Sequence, residues 1–86
     1  MHQSLQNIVD QARNMMQAQP ETAAALIEAR SDELDEMHVR AGNGHHRTLQ
    51  YMARTGLTAF DLRLAIDELR AIARGDEVTA IQIAAE

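Results

Sequence analysis

The chain has no cysteine, lysine or tryptophan, and only one phenylalanine, one tyrosine and one proline among its 86 residues. Without cysteine there is no disulfide, thiolate nucleophile or thiolate metal site, and nothing calls for an oxidising compartment. With so few aromatic rings the core must come from Leu, Ile, Val, Met and Ala, residues that suit packed helices. No apolar run approaches the roughly 20 residues of a membrane span, and the first residues lack the basic and apolar regions of a signal peptide. A cytoplasmic location and no membrane partner are expected. The four glycines fall at turns between helical patterns, and none belongs to a phosphate-binding loop after a strand.

The net charge is −5 and is unevenly spread. Residues 1–40 hold seven acids against three arginines, whereas residues 41–86 hold six against five. Such a surface disfavours nonspecific attraction to nucleic acid. At this length a single core is only marginally stabilising, so one helical domain over residues 1–86 that gains stability by self-association is the expected organisation.

The clearest local pattern runs from Leu57 to Gly75. Thr58 and Asp61 form a capping-box pair, Leu57 and Leu62 a hydrophobic staple, and Gly75 a stop. Between them Leu62, Ala65, Ile66, Leu69, Ile72 and Ala73 recur at the spacing of one helix face. At about 100° per residue, Phe60, Leu64 and Ala71 gather on the other side, which makes the helix apolar twice over. A second apolar face implies a covering partner. The arginines Arg63, Arg70 and Arg74, with Asp67 among them, form a stripe between the two faces; intrahelical ion pairing is its simplest role.

Earlier in the chain, Leu5, Ile8, Val9, Ala12, Met15 and Met16 predict a helix over 4–19 with Ser4 as cap and a side rich in Gln and Asn. Pro20 suits the first turn of the next helix, over 21–41. There Ala23, Leu26, Ile27, Arg30, Leu34, Met37 and Ala41 share one side, with a break at Ser31-Asp32 as the alternative to one long helix. Arg30 interrupts this stripe, so it either reaches out to water or meets an acid from another helix or subunit. After the Gly42-Asn43-Gly44 turn a helix over 45–55 turns Leu49, Met52 and Ala53 inward. For residues 76–86 a short helix capped by Asp76 is expected. The fold class is therefore all-α, a small bundle of four main helices (4–19, 21–41, 45–55, 59–74) plus a short C-terminal segment, in an oligomer.

Three functional readings follow. The favoured one is a non-catalytic, acidic protein-protein interaction module of adaptor, regulator or inhibitor type, a homodimer in the simplest case, with Phe60, Leu64, Ala71 and Arg30 at its contact surface. No constellation for catalysis stands out and no cofactor is expected. The second reading rests on Leu49-x-x-Met52-Ala53-Arg54-Thr55-Gly56-Leu57-Thr58, which resembles the first helix and glycine turn of a helix-turn-helix, with Leu62 and Ala65 inward on the second helix. That resemblance implies a DNA-binding transcriptional regulator using residues 49–70, with Arg54, Arg63, Arg70 and Arg74 as candidate contacts. On that resemblance Phe60, Asp61, Arg63, Leu64 and Asp67 would face the major groove, a set whose apolar and acidic members give the phosphates little to bind.

The third reading uses Asp35, His38, His45 and His46. Asp35 and His38 are one turn apart, a spacing similar to half of the Glu-x-x-His unit of ferritin-like di-iron proteins, with Glu28 a further candidate ligand. Imidazole and carboxylate together also suit zinc or nickel. Adjacent histidines on a helix point about 100° apart, however, and no metal site is favoured.

Overall fold

The structure, a computed structural model, describes residues 1–75. Four helices make up the described chain: α1 (Gln3–Ala18), α2 (Pro20–Gly42), α3 (His46–Thr55) and α4 (Ala59–Arg74), with no strand among the described residues. The expected bounds differ from these by one residue at most of the helix ends. The short helix expected after Asp76 lies outside the described residues.

α4 sits at the centre. Leu62, Ala65, Ile66 and Leu69 are wholly buried and Ile72 nearly so, and burying each large side chain contributes roughly 1.5–3 kcal/mol. They meet Leu5, Val9 and Ala12 of α1 and Ala23, Ile27 and Leu34 of α2 in one core, with Met52 and Leu57 at its α3 end. The Thr58 hydroxyl accepts the Asp61 amide at 3.1 Å, the threonine half of the expected capping box. Gly56 and Gly75 close α3 and α4 in the left-handed conformation, at φ +78° and +76°.

One residue, Gln19, separates α1 from α2, so the two form a tight antiparallel hairpin. Pro20 occupies the first turn of α2 as expected. α1 runs parallel to α4: His2 bonds to Thr55 just before α4 begins, and Arg13 bonds to Glu68 farther along both helices.

Local readings need correcting at three places. The cap of α1 is His2 rather than Ser4, whose backbone amide donates to His2 Nδ1 at 3.2 Å. The single long helix expected for α2 is present, unbroken at Ser31, where the hydroxyl donates to the Glu28 carbonyl at 2.7 Å and so enters the core with its polar atom satisfied. Leu26, expected inside, is 59% exposed. Leu49 and Ala53 of α3 are likewise exposed, leaving Met52 as that helix's one buried residue. In each apolar case periodicity chose the right side of the helix, but no neighbouring helix covers the edge of the stripe.

Candidate partner surface

Phe60 lies 900° from Leu69 around α4 at about 100° per residue, which is the opposite side. Since Leu69 is at the middle of the buried stripe, Phe60 points directly away from the core. It is 71% exposed, the most exposed large apolar side chain described, and Leu64 one turn on is 37% exposed. Ala71, half-buried, continues the same line for two more turns. Asp67 interrupts the row and is bonded to Arg63 at 2.9 Å, the intrahelical pair expected from their spacing.

Both flanks of this face are tied to neighbouring helices. On one side Glu68 accepts from Arg13 of α1 at 3.4 Å. On the other Arg70 reaches across to Asp32 and Asp35 of α2, at 3.3 Å to each. Partial burial works to lower the Arg70 pKa, but the hydrogen bonds and charges of Asp35 and Asp32 outweigh it and raise the pKa further. Arg70 is therefore a permanent cation held between two carboxylates. Phe60 and Leu64 thus project from a helix that is capped, buried along its whole inner side and clamped at both edges, so their positions are set before any partner arrives.

The far side of the molecule carries a groove of about 310 Å³ between α1 and α2, with Ile8, Met15, Leu26 and Ile27 as walls and Leu69 beneath. Arg30 lines it too, but its guanidinium is exposed and bonded to Glu33 at 2.8 Å on its own helix. The structure therefore separates Arg30 from Phe60, Leu64 and Ala71, with which the sequence grouped it.

The arginines proposed for nucleic acid are brought partly together. Arg63, Arg70 and Arg74 share one flank of α4, while Arg54 lies with its guanidinium 5.9 Å from the centre of the Tyr51 ring. α3 packs on α2, and no Cα of α3 comes within 8 Å of one in α4 among residues three or more apart in sequence. The histidine and acid candidates disperse. Asp35 is bonded to Arg70, His45 caps α3 through its Nδ1, His46 is exposed on the first turn, and His38 is half-buried on α2. Among the described residues no three His, Cys, Asp or Glu side chains gather as a metal site would require, and no helix is long and apolar enough to cross a membrane.

Sequence reasoning missed His2 and Arg13. His2 Nε2 lies 2.7 Å from the Thr55 carbonyl, so the ring joins the start of α1 to the end of α3. Neither contact has a local signature, because each links residues more than fifty positions apart. No family model matches the chain, and no curated protein or solved structure matches it either.

Proposed function

We propose that this chain is a non-catalytic protein-protein interaction module that works as a homo-oligomer, with the outer face of α4 as its contact surface. The observation that carries the reading is Phe60, an aromatic side chain 71% exposed on the helix that buries the most residues among the four described. A preorganised aromatic anchor with an aliphatic neighbour is what the centre of a protein interface uses. Ala71 supplies a shallow place on the same face for a partner side chain, and the Arg63–Asp67 pair supplies a polar rim.

The helix-turn-helix alternative would use Arg63 and Arg70 for phosphates. Both already have carboxylate partners, which favours a protein over DNA as the ligand. Salt-dependent retention on DNA that disappears in an Arg63→Ala, Arg70→Ala variant would reverse that preference.

The test of the proposal is the mass in solution of the wild type and of Leu64→Glu and Phe60→Glu, together with their helix content. The expected result is an assembly that both variants lose while their circular dichroism is unchanged. A wild type that stays monomeric at high concentration refutes the homo-oligomer, and variants that unfold show the face to be core.

A further inference from the structure

We propose that His2 and His45 make the starts of α1 and α3 acid-labile, because each helix is capped by a neutral imidazole that protonation turns from acceptor into donor. The two sites share one geometry. At α1 the Ser4 amide donates to His2 Nδ1 at 3.2 Å, with the Ser4 hydroxyl at 2.8 Å from the same nitrogen. At α3 the Thr48 amide donates to His45 Nδ1 at 3.3 Å, with the Thr48 hydroxyl at 2.8 Å. A backbone N–H can only donate, so Nδ1 must be unprotonated in both rings. For His2 the other nitrogen faces the Thr55 carbonyl at 2.7 Å, which can only accept, and this assigns the proton to Nε2 independently.

Protonation adds a hydrogen to Nδ1, where it opposes the backbone amide. The serine and threonine hydroxyls can rotate to accept it; the amides cannot reverse. The new charge also sits at a helix N-terminus, the end whose dipole repels cations. Neither α1 nor α3 has an acid in its first turn to offset this. Around His2 the ionisable groups on the adjoining segments are the Met1 amino group, Arg54 in the last turn of α3 and Asp61 in the first turn of α4. Around His45 they are its chain neighbour His46 and, lining one cleft with it, Arg47 and Tyr51 of α3 and Glu33 and Arg40 of α2. Glu33 is already bonded to Arg30, and Arg40 to Glu36. In both places the neutral ring is the form that caps, so protonation removes the cap and acid works against it.

The two sites differ in one respect. Charged His2 retains its Nε2–H bond to Thr55, where the C-terminal end of α3 favours a cation. Acid therefore releases the first turn of α1 while His2 stays attached to α3, whereas at His45 it loosens α3 itself.

α4 provides the internal control, since its cap is the hydroxyl of Thr58, which does not titrate. Following the amide resonances of Ser4, Thr48 and Asp61 from pH 8 to 5 by ¹⁵N–¹H NMR should show the first two moving with the titration of their own histidine rings and Asp61 not doing so. The melting temperature of the wild type should fall further over this range than that of a His2→Asn, His45→Asn variant, whose side-chain oxygens cap at every pH, with the His45 cap contributing more of the difference than the His2 cap. Equal falls in melting temperature, or Ser4 and Thr48 amides that ignore their rings, overturn the proposal. Should the double variant fail to fold, the wild-type resonances decide alone.

Discussion

α3 and α4 are built from the same terminal parts and owe their stability to different sources. Each opens with a side chain accepting an amide three residues on, His45 from Thr48 and Thr58 from Asp61, and each closes on a left-handed glycine. Yet α4 buries five residues over its length while α3 buries Met52 alone. Caps decide where a helix begins and ends; only a buried stripe holds it in place, and a ten-residue helix without one is marginal in water. α4 is accordingly a scaffold, and α3 is a connector whose order depends on its ends.

The largest expected break in this comparison is in the core. Leu69→Ala should lower unfolding free energy by about 2–5 kcal/mol, because Leu69 has no exposed surface and lies between α1 and α2. Leu49→Ala at the matching outer edge of α3 should cost under about 1 kcal/mol, near the range of surface substitutions. Urea titration of both variants checks the pair, and similar losses would mean that α3 is also anchored by packing.

A smaller effect separates the two glycines. Replacing either by alanine forces a left-handed conformation that disfavours a Cβ by about 1–2 kcal/mol. At Gly75 the change should only shorten α4. At Gly56 it should reach further, because the next residue, Leu57, is buried and its amide bonds the Met52 carbonyl at 2.9 Å. Hydrogen exchange of the first α4 turn should therefore quicken in Gly56→Ala and not in Gly75→Ala.

The smallest effect is at the clamp. Arg70→Gln should cost about 0.5–1 kcal/mol at low salt and less at high salt, as for other partly exposed ion pairs. A loss that salt does not reduce would say that the Arg70 stem contributes by packing, not charge.

Much of this fold was legible because its signals are local. The Thr58 cap, the Gly75 stop and the Leu62-to-Ile72 stripe each need only a few neighbouring residues, and Phe60 and Leu64 were assigned to the outer face by periodicity alone. What was not legible depended on which helix arrives where. Leu26 and Leu49 lie on the apolar sides of their helices yet stay exposed because nothing packs over those edges. Arg30 pairs with Glu33 on its own helix, a partner the apolar stripe gave no reason to favour. The His2 cap was hidden because Ser4, two residues on, is the commoner capping residue, and the ring reaches past it to Thr55.

The parallel course of α1 and α4 has a consequence for the order in which the chain can mature. α1 is made first, yet the residues that cover Leu5, Val9 and Ala12 include α4, which ends more than fifty residues later. At synthesis rates of about 5–20 residues per second, the first helix waits some seconds before its permanent neighbour exists. Its hairpin partner α2 gives it only partial shelter in that interval. The glutamine and asparagine side chains that dominate its outer face are polar groups that water can solvate throughout that interval.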